Sequence, residues 1–188
     1  MKFPALDNDK TRCRACDLWK QGGSVLSVGN RCRPLMMVIG EAPGEQEIMW
    51  MSPFVGPAGK ILRKAIAAAG FKANDVLYSN LLGCRPPNDA FPEDQQQVQY
   101  CVDTFLMREI ALSQPVVLLL AGAKPLFYLM GMQGITKNRG QWHKGPHDLP
   151  TITTFHPSYI LRGAGEEVER LFLEDICSAY KRATTGTA

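Results

Sequence analysis

The sequence predicts an α/β protein, a three-layer α/β/α sandwich around a central, mostly parallel four-stranded sheet. Two observations lead to this prediction. Four short apolar runs, typical of strands buried on both faces, recur along the chain, and segments with apolar residues at helical spacing lie between them. Strands that alternate with helices form parallel sheets with right-handed crossovers, and their helices cover the sheet.

The first strand is predicted at residues 35–39, where five apolar residues follow one another without a polar interruption. Gly40 then begins a long loop, rich in glycine and proline, that runs to Gly59. Residues 60–70 have apolar positions at helical spacing and end in a glycine, as many helices do. Ligands of open α/β sheets bind beside the loops at the carboxyl ends of strands, so this loop is the first candidate site.

Three more strands and three more helices complete the predicted fold. The strands are predicted at residues 75–82, 115–122 and 151–155. The helices are predicted at residues 93–113, 123–130 and 166–182. The polar and basic segment 135–148 is expected to be an exposed loop or hairpin. Residues 1–34 show little periodicity and are interpreted as an irregular or briefly helical arm. Contacts other than hydrophobic core packing must hold this arm on the rest of the protein.

Length and composition fit one domain that spans residues 1–188. The chain has 45% hydrophobic and 21% charged residues, which is ordinary for a globular protein large enough to bury a core. The first residues lack the apolar core of a signal peptide and no segment spans a membrane, so we expect a cytoplasmic protein without a membrane partner. The net charge of +3 permits a nucleic-acid partner without requiring one.

Four of the six cysteines have the spacing of a metal site. Cys13 and Cys16 form a Cys-x-x-Cys pair, while Cys84 and Cys101 lie in a proline-rich loop and in the helix after it. In a cytoplasmic protein such cysteines are better explained as metal ligands than as disulfides. The alternative is that Cys84 and Cys101 are small buried side chains and the first pair is incidental. The spacing does not separate zinc from an iron–sulfur cluster.

Two polar residues mark one edge of the predicted sheet. His156 follows the last strand and is fixed by the proline after it, so it can donate a hydrogen bond into the crevice at that edge. Asn80 ends the second strand, and its amide has the donors and the acceptor that read a pyrimidine edge. Taken alone, each has a structural alternative, a core histidine and a strand-end cap. Their convergence with Glu41, Glu47 and Phe54 favours a site.

These motifs together resemble the iron–sulfur uracil-DNA glycosylases, family 4 of the uracil-DNA glycosylase superfamily. The resemblance covers nearly the whole chain, from Cys13 to Arg182, and its motifs occur in the order of that family. The matching segments are residues 40–44, 47, 53–56, 58–59, 80, 84–87, 156–158 and 161–162.

The resemblance implies a monofunctional hydrolase that cleaves the N-glycosidic bond of deoxyuridine in single- or double-stranded DNA. It would flip the base into a pocket, release uracil and leave an abasic site for base-excision repair. The resemblance also implies a 4Fe-4S cluster held by Cys13, Cys16, Cys84 and Cys101, and this cluster would pin the arm of residues 1–34. A monomer is expected.

The resemblance further implies roles for the site residues. Phe54 would stack on the flipped base, Asn80 would hydrogen-bond its edge, and Glu47 would exclude the methyl group of thymine. His156 would stabilise the uracil anion at O2, and Glu41 would orient water or stabilise the sugar cation. Additional contacts are expected with the substrate from Gly40 and Ala42 and with DNA from Ser158, Tyr159 and Arg162. Tyr159 or Ile160 would fill the vacated base stack.

The segment between Glu47 and Pro53 departs from the family pattern. A polar stretch with an acid and a glycine is usual there, whereas this chain has Ile-Met-Trp-Met-Ser. The four apolar residues are expected in a loop, where they pack under the N-terminal arm or form an exposed contact surface.

This departure favours an alternative function, a catalytically weak or inactive DNA-binding accessory protein of the same fold with altered base specificity. A zinc-stapled hydrolase of a small nucleotide is a third alternative, although phosphate-loop and nucleophile patterns are missing.

Overall fold

A six-stranded sheet lies at the centre of the structure, a computed structural model that describes residues 4–186. Its strands are β1 (Val28–Gly29), β2 (Met36–Gly40), β3 (Val76–Asn80), β4 (Val117–Ala121), β5 (Trp142–Lys144) and β6 (Pro150–Thr154). The order is β1-β3-β2-β4-β6-β5, with four parallel inner strands and an antiparallel strand at each edge. The predicted α/β fold and its four parallel strands are confirmed, and the sheet has two strands more than predicted.

Both additional strands are too short to give a strand pattern in the sequence. β1 has two exposed residues, and β5 has three residues that are exposed or half-buried. β5 pairs with β6, so it forms one arm of a hairpin whose other arm lies beyond the segment 135–148 that was predicted as an exposed loop or hairpin. The start of that segment, Ile135–Asn138, is a short helix that was not predicted.

Helices cover both faces of the sheet. In the described part of the chain they are α1 (Pro4–Arg12), α2 (Glu45–Trp50), α3 (Pro57–Ala68), α4 (Gln95–Cys101), α5 (Met107–Ser113), α6 (Ala123–Met130), α7 (Ile135–Asn138), α8 (Pro157–Leu161) and α9 (Glu166–Thr185). A π-helical turn, Val102–Leu106, joins α4 to α5 within the predicted helix 93–113. Between residues 4 and 186, no helix is both long and apolar enough to cross a membrane.

Alternating side chains of the inner strands build two cores, one on each face of the sheet. Met36 and Val38 of β2 belong to the core that α3 and α9 cover. Met37 and Ile39 belong to the core that α4, the π-helical turn and α5 cover. The strands are therefore buried on both faces, as their uninterrupted apolar runs predict.

Polar contacts tie the N-terminal arm to the sheet. Arg31 donates to both carboxylate oxygens of Asp7, at 2.6 and 2.7 Å, and lies 3.4 Å from Glu109. Glu109 is only 3% exposed and accepts hydrogen bonds from Ser27 of the arm and Ser79 of β3. The arm therefore has an ionic anchor on α5, at Glu109, apart from its cysteines.

Candidate functional site

A cleft of about 870 Å³ opens at the carboxyl ends of β2, β3 and β6. The turn after β2, the end of β3 and the start of α8 form its walls, because parallel strands end at one edge of the sheet. Of the residues predicted from the sequence, the cleft is lined by Glu41, Ala42, Glu47, Phe54, Asn80, His156, Ser158, Tyr159 and Arg162. The structure thus brings together residues that lie more than a hundred positions apart in the chain.

The missing side chain at Gly40 lets two site residues approach the end of β2. A Cβ atom built there would overlap Oδ1 of Asn80 and lie 2.5 Å from Cζ of Phe54. Asn80 is the partner of Gly40 across the β2–β3 ladder and is 8% exposed. Gly40 therefore contributes room for the side chains of the cleft.

Phe54 is held in a strained backbone conformation. Its φ of +56° lies in the left-handed region that bulky residues rarely adopt. Arg63 donates hydrogen bonds to the carbonyl oxygens of Pro53 and Phe54, at 2.9 and 2.8 Å. Gly59 packs so closely on the Phe54 backbone that a Cβ atom would overlap it. These contacts fix the aromatic ring in the cleft wall without a ligand.

The Glu47 carboxylate organises the loop after β2. It accepts hydrogen bonds from the backbone N–H groups of Gly44 (3.1 Å), Val55 (2.9 Å) and Gly56 (2.7 Å). Hydrogen bonds to an ionised carboxylate are stronger than neutral ones, so this side chain ties α2 firmly to the start of α3. Glu47 shapes the cleft wall through the backbone of the loop, and its contact with a thymine methyl stays a prediction.

Gly122 brings Glu41 and His156 together. Its φ is +111°, and a Cβ atom there would lie 3.0 Å both from Oε1 of Glu41 and from Cβ of His156. Burial raises the pKa of Glu41, whereas the charge and backbone N–H of Lys124 and the charge of Arg162 lower it. Sequence reasoning missed Gly122 and Lys124. The signal was present, because Gly122 ends the third predicted strand at the same sheet edge.

The contacts of His156 define the tautomer of its ring. The backbone N–H of Ser158 donates to Nδ1 at 3.2 Å, and Ser158 Oγ lies 2.7 Å from the same atom. Since an N–H group can only donate, Nδ1 is an acceptor and the ring proton of the neutral form resides on Nε2. Burial, helped by the charge of Arg162, lowers the pKa of His156 to about 4. The ring is therefore neutral at pH 7 with Nε2–H as its donor.

Sequence similarity assigns this arrangement to a family. The family model described as the uracil DNA glycosylase superfamily matches residues 26–177. The chain belongs to the uracil DNA glycosylase superfamily.

Within the uracil DNA glycosylase superfamily, the chain is similar to type-4 members, as predicted. It is 36% identical over 170 residues to the type-4 uracil-DNA glycosylase of Thermotoga maritima, covering 88% of this chain and 86% of that protein. It is 34% identical over 159 residues to that of Saccharolobus solfataricus, covering 80% and 73%. It is 35% identical over 161 residues to that of Archaeoglobus fulgidus, covering 79% and 78%.

A small cavity between the arm and the sheet is lined by the four cysteines predicted as ligands, Cys13, Cys16, Cys84 and Cys101. We call it the four-thiol cavity. Burial and then the neighbouring thiols raise the pKa of Cys101 to about 12, and burial also raises the pKa of Cys84. All six cysteines are free. In residues 4–186, no group of three or more His, Cys, Asp or Glu side chains is placed to hold a metal ion.

Lys10 supplies positive charge to the four-thiol cavity. Its side chain lines the cavity and is only 7% exposed. Its charge offsets a small part of the rise that burial causes in the pKa values of Cys84 and Cys101. Gly83 makes room for it, because a Cβ atom there would lie 2.8 Å from Cε of Lys10. Sequence reasoning missed this lysine, since it precedes the cysteines in a polar segment without a motif.

Helix α8 presents two side chains to solvent at the mouth of the cleft. Tyr159 is 43% exposed and Leu161 is 49% exposed, whereas Ile160 is 7% exposed and packs into the core. The prediction that Ile160 could fill a base stack is therefore wrong, because helical geometry turns it inward. Arg162, at the end of α8, donates to Ser158 Oγ at 3.3 Å.

The apolar stretch after Glu47 completes helix α2 and is not a loop. Ile48 packs under the arm, so closely that a Cβ atom at Gly22 would lie 2.5 Å from its Cγ2. Met49 and Trp50 are each 69% exposed, and Met51 is 49% exposed. We call these three residues the α2 patch. Both predicted alternatives hold in part, since one residue packs under the arm and three face solvent.

Proposed function

We propose that this chain is a monofunctional uracil-DNA glycosylase that hydrolyses the N-glycosidic bond of deoxyuridine in DNA. The observation that carries the proposal is the convergence of Glu41, Asn80 and His156 on one cleft at the carboxyl edge of the sheet. The similarity to type-4 uracil-DNA glycosylases supports the same reaction. The products are free uracil and an abasic site, which base-excision repair then processes.

The cleft suits a base that has left the duplex. Chemistry on a stacked and paired base requires that the nucleotide be flipped or already single-stranded. The Phe54 ring in the cleft wall offers a flat apolar surface on which uracil can stack. The Asn80 amide has an acceptor and donors that match the N–H and C=O groups of the uracil edge. Ala42 also lines the cleft, and its small side chain leaves room beside the base.

A neutral His156 supplies electrostatic stabilisation. When the N-glycosidic bond breaks, its electron pair stays on uracil, and Nε2–H can donate a hydrogen bond to O2 of the departing anion. The pKa of about 4 means that the ring is uncharged at pH 7 and already holds its donor proton. A donor fixed before the reaction stabilises developing charge without reorganisation. Ser158 preserves that orientation through its contacts with Nδ1.

Glu41 completes the arrangement on the sugar side. Its carboxylate would stabilise the positive charge that develops on deoxyribose and orient the attacking water. Burial raises the pKa of Glu41, and the charges of Lys124 and Arg162 offset part of that rise. Among the described residues no lysine lines the cleft, which supports hydrolysis without a Schiff base.

Contacts with the DNA backbone and base stack are assigned to α8. Tyr159 and Leu161 are the exposed side chains that could occupy the space left by the flipped base. Arg162 carries a positive charge at the end of the same helix and can bind a phosphate. Tyr159 and Arg162 line the same cleft as His156, which supports the assignment of DNA contacts to α8.

The four cysteines that line the four-thiol cavity are the donor set that a 4Fe-4S cluster takes, and we assign the cluster to them on that chemistry. The buried charge of Lys10 offsets part of the negative charge of four thiolates. When bound, the cluster links the arm to the loop after β3 and to α4. Cys13, Cys16, Cys84 and Cys101 would hold it.

We further propose that the protein acts as a monomer, in the cytoplasm, as one domain over residues 1–188. The complete constellation lies in one chain, so no residue of a second copy is required. Free cysteines fit a reducing compartment.

The α2 patch favours one alternative, a DNA-binding accessory protein with weak or absent glycosylase activity. Exposed apolar residues are typical of contact surfaces. A protein that only binds DNA would, however, have no need for Glu41, Asn80 and His156 at a common cleft.

A single-turnover excision assay tests the proposal. The substrate is an oligonucleotide with one uracil, either single-stranded or paired opposite guanine, and abasic sites are cleaved with alkali. The wild type is expected to excise uracil, and His156→Ala and Asn80→Ala are each expected to be at least roughly tenfold slower, within the range for lost transition-state contacts. Leu112→Ala, an exposed apolar residue on α5, is the matched control. No excision by folded wild type would favour the accessory alternative.

A further inference from the structure

The α2 patch is unusual for a protein surface because it exposes several large apolar side chains together. Three consecutive large apolar side chains are exposed, and nothing within the described residues covers them. Such runs are normally kept off protein surfaces unless they bind something. The patch also begins directly beside the cleft, because Glu47 of the same helix lines the cleft.

Trp50 differs from the two other tryptophans of the chain. The guanidinium of Arg14 covers the ring of Trp19 at 4.3 Å, and that of Arg182 covers Trp142 at 4.5 Å. Trp50 has no such cation and no aromatic neighbour in the described part of the chain. Its indole face is therefore open to a ligand.

Helix α2 carries both Trp50 and the cleft residue Glu47. Trp50 follows Glu47 by three residues, which is about 4.5 Å along a helix axis. Glu47 in turn accepts a hydrogen bond from the N–H of Gly56, the residue before α3. Lys60 lies one turn beyond Gly56 and is exposed. Trp50 and Lys60 thus each lie about one helical turn along the chain from one of the two residues that this hydrogen bond joins.

The charge around the patch also favours a nucleic acid. Lys60 and Lys64 are both exposed on α3 and make no ion pair within residues 4–186. Of the acids on α2, Glu47 is occupied by three backbone donors. An open aromatic face next to unpaired lysines is the pattern by which proteins bind single strands.

We propose that the α2 patch is a stacking platform for an unpaired base next to the uracil, with Trp50 as its central residue and Lys60 as the phosphate contact. This inference rests on the proposed function for the identity of the flipped base. In a duplex the neighbouring bases are paired and their faces are covered, so the platform acts on single strands. Three side chains are too small an area for a stable protein interface, which buries about 800 Å² on each partner.

Binding of DNA without uracil tests the platform separately from catalysis. We would measure the anisotropy of a fluorescein-labelled single strand and of its duplex with wild type, Trp50→Ala, Trp50→Phe and Leu112→Ala. Trp50→Ala is expected to bind the single strand at least roughly fivefold more weakly, the lower end for loss of one stacked base. Trp50→Phe should recover most of that loss, and Leu112→Ala should match the wild type. Duplex affinity should change by less than about twofold.

Several outcomes would overturn the platform. These are equal single-strand affinities of Trp50→Ala and wild type, an equal loss for the duplex, or no binding of single strands by wild type. A concentration-dependent dimer that sedimentation detects in wild type but not in Trp50→Ala would instead assign the patch to a second copy.

The excision assay distinguishes the two proposals. If the wild type excises uracil and Trp50→Ala binds the single strand as tightly as wild type, only the platform proposal is rejected. If Trp50→Ala binds the single strand more weakly but the wild type does not excise uracil, only the glycosylase proposal is rejected.

Discussion

The cleft and the four-thiol cavity are close neighbours but are organised in opposite ways. Only residues 81–83 separate Asn80, in the cleft, from Cys84, in the cavity. In the cleft, backbone hydrogen bonds to Glu47, the contacts of Arg63 and closely packed glycines fix the side chains. In the cavity, burial and then the neighbouring thiols raise the pKa of Cys101, and burial raises that of Cys84.

This difference has a physical reason. The cleft must hold its donors in place before uracil arrives, because reorganisation during the reaction would raise the barrier. The cavity instead holds two thiols with raised pKa values, Cys84 and Cys101, and a thiol is a good ligand only as the thiolate. The cleft has its side chains fixed without a ligand, whereas the proposed cluster would complete the four-thiol cavity.

The largest expected effect comes from a methyl group at Gly40. The new Cβ in Gly40→Ala would displace Asn80 and Phe54, so we expect single-turnover excision to fall by about a hundredfold or more, as small misplacements can cause. Gly131→Ala is the control, since its Cβ would meet no atom within 4 Å and would report only on stability. Equal activities of the two variants would mean that the cleft accommodates the extra methyl group and is not rigidly fixed.

A smaller effect is expected from the cavity. Cys101→Ser should remove the visible absorbance of an iron–sulfur cluster near 400 nm and lower the Tm by roughly 10 °C, the shift for a loss of about 3 kcal/mol in a chain of this size. Circular dichroism should still show the α/β fold, because the arm keeps its anchor through Arg31 and Glu109. Cys32→Ser changes an exposed cysteine outside the cavity and should match wild type. Complete unfolding of Cys101→Ser would contradict a separate anchor.

The smallest expected effect is on the pH dependence of the free energy of unfolding, and it tests whether His156 is buried in the cleft in its neutral form. Burial lowers the pKa of His156 from 6.5 to about 4, so between these values the unfolded chain binds more protons than the folded chain. The free energy of unfolding should therefore fall as pH decreases from 6.5 to 4, by up to about 3 kcal/mol for this group. Denaturant titrations of wild type and His156→Gln measure it, and the variant should lose less stability over that range. Parallel pH profiles would show that His156 is not buried in a neutral form.

The inner strands and much of the cleft could be predicted from the sequence because their signals are local. Apolar runs identify β2, β3, β4 and β6, and residues after such runs fall at one sheet edge by the rule for parallel strands. The two-residue β1 offers no comparable pattern. Helix α2 was expected as a loop, because glycines and prolines flank it closely on both sides.

Other features depend on contacts between distant parts of the chain. The pairing of Arg31 with Glu109 joins residues 78 positions apart, and neither sequence segment indicates the other. The tautomer of His156 follows from the direction of one N–H group, which no pattern encodes. Lys10 becomes a cavity residue only when the arm folds back on the loop after β3.

The placement of the three indoles makes the protein its own spectroscopic reporter. Trp19 lines the four-thiol cavity, Trp50 is exposed on α2, and Trp142 lies on edge strand β5, where it donates to Ser178 at 3.1 Å. Variants that retain one indole each would emit from one region at a time. Iron loading, strand capture and opening of the sheet edge could then be followed by intrinsic fluorescence as three separate events, in a chain that carries no dye.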